Sequence, residues 1–494
     1  MKKIGFDDKK YRELTKEEIN KRLKKFSNKL YLEIGGKLFD DLHASRILPG
    51  FKYNSKIEIL KELKDKTEVI ICISAKDIEK RKVRADYDIT YDKDVMRLID
   101  NIRKNELKVN SVVITLFENE NSAINLKNKL ELNGIKVYMH SYTEGYPGDI
   151  EKVVSENGYG KNEYIETEKP LVVVTAPGPG SGKLATCLSQ LYHEYKRKNK
   201  AGYAKFETFP VWNLPLKHPV NIAYEVATAD LKDVNMIDSF HLEHYGETAV
   251  NYNRDIETFP ILRKILKEIT KEEIYHSPTD MGINMIGFAI TNEKVIINAC
   301  IDEIIRRYYK SLVSYKMGEQ PIEVTERIKI LMNELNIDVN KRKVVKYAHK
   351  KQEEKKSHSM AIELEDGTII TGRTTNIMSA PASTLINALK YITNLDEDVY
   401  IISPLVIEPM LKIKKDLFHK NEVLNLQEIL LALSINAATN PIIAKMLESL
   451  NKLNNCEAHA TYILTNGDAK PLKQLKINYT CDPEFKSNDL FIND

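Results

Sequence analysis

Apolar residues along the chain fall into two spacings. Short continuous runs, EVIICIS at 68–74, SVVITLF at 111–117 and LVVV at 171–174, are bounded by polar or turn-forming residues and read as strands buried on both faces. Between them, apolar residues recur every three or four positions, which predicts helices over 55–64, 92–104 and 121–133, with further strands at 31–34, 135–140 and in AGYAKFETFP from 201. A helix over 12–27 opens the pattern, with Thr15 and Glu18 spaced as a capping box before the stripe Ile19, Leu23, Phe26. Strand and helix alternate as in βαβ units, so the predicted fold is α/β, a three-layer and mostly parallel sheet with helices on both faces.

Beyond the charged helices at 300–315 and 322–335, Met317–Pro321 supplies a Gly/Pro break. The predicted domains are therefore 1–318, with an internal break near 150–168, and a smaller α/β domain over 319–494. The second domain begins with a hairpin over 358–371 turning at Asp366 and Gly367. It continues with helices 404–418, 425–434 and 440–453 and strands 398–403 and 458–464.

One segment carries a sharp chemical meaning. Strand Leu171–Val174 runs into PGPGSGK and then an amphipathic helix to Arg197, a P-loop-like strand–loop–helix. Gly178, Gly180 and Gly182 allow close backbone approach, so amide N–H groups can converge on an anion at the helix start; Ser181 adds a hydroxyl and Lys183 a point charge. The match to G-x-x-x-x-G-K-[ST] is imperfect. Pro177 occupies the first glycine position and Leu184 the hydroxyl position. Thr186, two residues on, is turned by about 200° and displaced by about 3 Å, so it cannot take over a magnesium ligand's role.

Other polar groups beyond the glycine loop are further candidates, and in α/β sheets ligands bind beyond the strands' carboxyl ends. Glu207 and Asp230 are the candidate magnesium carboxylates. Lys37 and Arg46 after the Gly35–Gly36 turn, Arg254 and Asp280 in Asn/Asp-rich loops, and Arg373 and Ser379 before a helix near Pro381 are candidate substrate contacts. Asp77, Arg81, Arg84 and Asp86 belong to a long polar loop at the same edge. His241 and His244, three apart, read as surface or capping histidines rather than a metal pair.

Composition narrows the classes. Seventy-four Lys and Arg against 71 Asp and Glu give a net charge of +3, too balanced for a nucleic-acid footprint. No stretch of 18 apolar residues is present, and the N-terminus lacks a signal-peptide core, so a cytoplasmic chain without membrane partners is expected. Five scattered cysteines with no C-x-x-C pair argue against disulfides or structural zinc. Cys187, one turn into the helix after the glycine loop, is the thiol nearest the predicted site.

The strings GGKLFDDLHASRILPGF, TAPGPGSGKLATCLSQLYHE, AKFETFPVWNLPLKHPVN and SPTDMGINMIG resemble, essentially end to end, the bacterial family called domain of unknown function 1846. The resemblance implies a cytosolic protein with a larger N-terminal and a smaller C-terminal domain and dependence on ATP. It carries over no catalytic residue. The expectation is a phosphate- or nucleotide-binding protein that uses ATP and Mg2+ as a transferase or ligase on a small metabolite. The alternative is a non-catalytic nucleotide or phosphometabolite sensor; assembly of several copies of the chain is left open.

Overall fold

The structure, a computed structural model, describes residues 4–84, 87–396, 398–417 and 423–487. Two compact units divide the chain: Ile4–Glu225 with Lys232–Cys300, and Val226–Leu231 with the chain from Ile301 onward. The Gly/Pro break at 317–321 lies inside the second unit, between helices Glu293–Lys316 and Ile322–Glu334. Residues 150–168 stay in the first unit, where His193 meets the Asn162 carbonyl and Gln190 bonds both backbone groups of Ile165.

The first unit is built on seven parallel strands: β1 Leu30–Ile34, β2 Thr67–Ser74, β3 Lys108–Thr115, β4 Lys136–Met139, β5 Leu171–Thr175, β6 Gly202–Phe206 and β7 Gly282–Ile283. Their spatial order is β7-β6-β1-β5-β2-β3-β4. β2 and β5 are buried at every position, as continuous apolar runs covered on both faces require. The order also locates a crevice. From β2 the chain moves outward to β3, while from the adjacent β5 it moves the other way, across β1 to β6. Connections that diverge from neighbouring strands open a cleft at the strands' carboxyl ends, and the loop after β5 starts there.

Helix α1, Asp8–Lys25, starts earlier than its internal Thr-Glu signal suggests. Asp7 caps it by accepting from the Lys10 N–H, whereas the Thr15 hydroxyl lies mid-helix and donates to the Tyr11 carbonyl. Tyr11, Thr15, Ile19 and Leu23, four apart, form the buried stripe.

The second unit pairs β8 Ser359–Glu363 antiparallel with β9 Ile369–Arg373 and β10 Glu457–Ala460, and β10 parallel with β11 Asn478–Cys481. Gly367 takes the positive φ of +86° that the hairpin turn needs. The predicted strand at 398–403 is absent. Ile401 and Ile402 are buried in the core of this unit without ladder partners, and Ser403 caps helix Pro404–Asp416 instead. β11 was not anticipated; its four residues, NYTC, carry little apolar pattern.

Candidate anion-binding site

Ala176–Gly182 crosses from β5 to helix α2, Lys183–Lys196, at the crevice described above. Gly180 and Gly182 adopt φ of +75° and +78°, left-handed backbone that glycine takes without strain. Two neighbours fix the loop's path. The Thr115 hydroxyl at the end of β3 donates to the Ser181 carbonyl at 3.0 Å, and a Cβ on Gly182 would stand 2.7 Å from that hydroxyl oxygen. The Tyr91 hydroxyl fills the space beside Gly178, where a Cβ would meet it at 2.2 Å. Shaped this way, the loop keeps its donors uncommitted. Among the described residues, no backbone N–H of Gly178, Gly180, Ser181, Gly182 or Lys183 is given to a protein acceptor. Converging N–H groups at the N-terminus of a 14-residue helix favour an anion through both hydrogen bonding and the helix dipole.

The loop's side chains are less available. The Ser181 hydroxyl is buried and donates to the Gly178 carbonyl at 2.9 Å. Thr186 is also buried, its hydroxyl taking the Cys72 thiol at 3.4 Å, so it faces the sheet. Cys187 is fully buried, and burial, aided by Glu33, pushes its thiol well up, making it a structural thiol. The Lys183 ammonium lies 3.9 Å from a carboxylate oxygen of Glu33 on β1.

Glu33 opens onto a partly buried charged cluster. Its other oxygen accepts from the Tyr203 hydroxyl at 2.8 Å. Next to Tyr203 on β6, the Lys205 ammonium bridges Glu207 at 2.6 Å and Asp255 at 2.5 Å. Burial opposes the Lys205 charge, but Glu207, Asp255 and Glu33 outweigh it and its pKa rises. Glu207 moves the other way from an ordinary ion pair. Burial pushes its carboxyl up to about 7, with Asp255 and Glu33 adding to the rise and Lys205 opposing it. One ammonium shared by several carboxylates leaves one of them short of compensation. Glu207 lines a small cleft with Trp212, Asn251, Thr279, Gly282 and Asn284.

Several candidates have other occupations. At the Gly35–Lys37 turn, buried Lys56 donates to the carbonyls of Gly35 at 3.0 Å and Lys37 at 3.2 Å, placing a second cation there. Arg46 lies on the short helix Leu42–Ile47. Arg254 makes a two-pronged pair with Asp233 at 2.8 and 2.9 Å. Asp280 closes the capping box of Ser277 and accepts the Tyr245 hydroxyl. Asp230, exposed on a 3-10 turn, belongs to the second unit, as do exposed Arg373 and buried Ser379. Ser379 caps a helix and donates to Asp468 at 2.6 Å. Arg84 is bound to Asp94 at 2.6 Å; Asp86 lies outside the described residues. His241 meets the Ser277 hydroxyl at 2.9 Å, and His244 stacks on His276. Sequence reasoning passed over Glu33, Lys205, Thr115 and Tyr91. The available signal was a carboxylate inside LYLEI and an ammonium inside GYAKF, charges in strands that are otherwise apolar.

The family models for "Domain of unknown function DUF1846" match the chain over residues 4–336 for the N-terminal domain and 340–491 for the C-terminal domain. The chain belongs to this family. Proteins named UPF0371 from Clostridium botulinum (strain Alaska E43) and Clostridioides difficile (strain 630) are each 54% identical to it, and one from Fusobacterium nucleatum is 53% identical. Each alignment covers 99% of this chain and at least 99% of the relative. The similarity to each of these three relatives thus runs over essentially the whole chain. Among the described residues, no helix is long and apolar enough to cross a membrane.

Proposed function

We propose that the 178–183 loop binds the phosphates of a nucleotide, ATP being the leading choice, and that the chain uses it in the cytoplasm as a transferase or ligase on a small metabolite. The observation that carries this reading is the set of uncommitted N–H groups from Gly178 to Lys183 at a helix N-terminus over a sheet crevice. Lys183 supplies the positive charge and Glu33 sets its position. Magnesium would accompany the nucleotide. Glu207 is a poor ligand for it, being tied to Lys205. Glu33 is the carboxylate beside the loop's lysine. In this reading Glu207, half-neutral near pH 7, faces the acceptor's cleft and exchanges a proton with it.

Calorimetric titration with ATP and Mg2+ tests the reading. Replacing Lys183 with Ala should weaken binding at least about tenfold, a loss of about 1.4 kcal/mol. Glu33→Gln, which removes a like charge beside the phosphates, should change Mg-free ATP binding in the opposite direction, tightening it a few-fold. No binding by the parent protein, or equal binding by the Lys183 variant, would remove the proposal.

A second reading, a nucleotide or phosphometabolite sensor without turnover, is favoured by one feature. With Leu184 in the hydroxyl position and the Ser181 hydroxyl held by Gly178, the loop offers no hydroxyl to a metal. Consumption of labelled ATP during incubation with pooled metabolites would exclude the sensor.

A further inference from the structure

The second unit brings together three ligating side chains that no motif spacing links. His349 lies on helix α3, Lys343–Lys355, His459 on β10 and Asp482 just past β11. The two histidines are 133 and 23 residues from the aspartate along the chain. The His349 Nε2 stands 2.6 Å from one Asp482 oxygen and the His459 Nε2 3.2 Å from the other. All three ligand atoms lie within 4.8 Å of one another, the one such group among the described residues.

The hydrogen bonds around His459 orient its ring. The His459 ring is held at both nitrogens: Nδ1 lies 2.8 Å from the Thr480 hydroxyl and Nε2 3.2 Å from an Asp482 oxygen. In the tautomer whose Nδ1 proton goes to Thr480, Nε2 presents its lone pair beside the carboxylate, and a partner on the far nitrogen is the support a metal-bound imidazole uses. His459 is fully buried whereas the His349 side chain is 43% exposed, so a fourth coordination position would open to solvent.

We propose that His349, His459 and Asp482 form a divalent-cation site of zinc type, with two imidazole nitrogens, one carboxylate oxygen and one position open to water or a ligand. Tetrahedral bonds of about 2.0–2.1 Å place ligand atoms about 3.3 Å apart, so closing the site moves His349 and Asp482 apart by less than 1 Å. Arg342 and Arg306 lie on the same side of this sheet, but both are held by Glu457.

The test titrates the full chain, stripped with chelator, with Zn2+ in a calorimeter and with Co2+ in a spectrophotometer. One tight zinc site per chain and the visible absorption of tetrahedral cobalt are expected. His349→Ala, at a half-exposed helix position, should weaken zinc by about a hundredfold or more and abolish the cobalt spectrum, and Asp482→Asn should do the same. His244→Ala, which breaks the stacked pair with His276, should change neither. Zinc binding that survives His349→Ala, that disappears in His244→Ala, or that is missing from the parent overturns the proposal.

Discussion

Gly182 answers to two demands at once, a φ of +78° and a Thr115 side chain 2.7 Å from where its Cβ would stand. Gly134, at φ +72°, has nothing within 4 Å and answers to the first alone. Comparing the two alanine variants therefore separates backbone strain from crowding. Gly134→Ala should cost about 1 kcal/mol, and Gly182→Ala about 2 kcal/mol or more in urea unfolding together with loss of ATP binding. Equal costs would mean that Thr115 does not shape the loop. At this scale much of the loop was legible, because glycine, lysine and helix start are local signals. Glu33 was hidden for a different reason: its importance comes from β1 lying beside β5, and 138 residues separate it from that strand's start, so neighbours along the chain say nothing of it.

Among elements, β10 bears the heaviest electrostatic duty. Its Glu457 sits between Arg306, on helix Glu293–Lys316, at 2.8 Å and Arg342, which precedes α3 and also donates to the carbonyls of Ala458 and Asn478. Burial works against the Glu457 charge, but the two guanidiniums prevail and hold its carboxyl down to about 2. Glu457→Gln would leave two buried cations short of their counter-charge, and we expect a loss of about 3–5 kcal/mol in denaturant unfolding. Replacement that costs less than 1 kcal/mol would show the triad to be incidental. Long helices and apolar strands were readable from periodicity. The misread ends share a cause: Asp7 outcompetes the internal Thr15–Glu18 signal because the whole polar stretch from Asp8 is already helical, and Ile401–Ile402 bury themselves without joining a ladder. Both depend on tertiary packing, which local pattern does not encode.

For the molecule as a whole, Glu207 and Glu457, both partly buried, act with opposite sign as pH changes. Glu207 has a raised pKa, so its contribution is fully present below about 4.5 and is lost as pH rises through about 7. Glu457 has a lowered pKa, so its contribution is present above about 4.5 and is lost as pH falls toward about 2. Acid should thus weaken the second unit while relieving the first. Glu207→Gln should flatten the stability profile between pH 4.5 and 7, removing a dependence on the order of 3 kcal/mol; an unchanged slope in melting curves would exclude Glu207 as its source.

The α/β class and the parallel sheet followed from the order of apolar runs, whereas the parting of the units did not. Composition shifts mark Met317–Pro321, yet compactness parts the chain after Cys300. The excursion of Val226–Leu231 into the second unit bears on how this gene is best dissected. A clone begun at Ile301 would lack a strip of its own body, while one stopped at Cys300 would carry that strip as an orphan. Whoever wants the halves separately should supply the missing hexapeptide in trans or graft it on, since neither half is a single uninterrupted stretch of code.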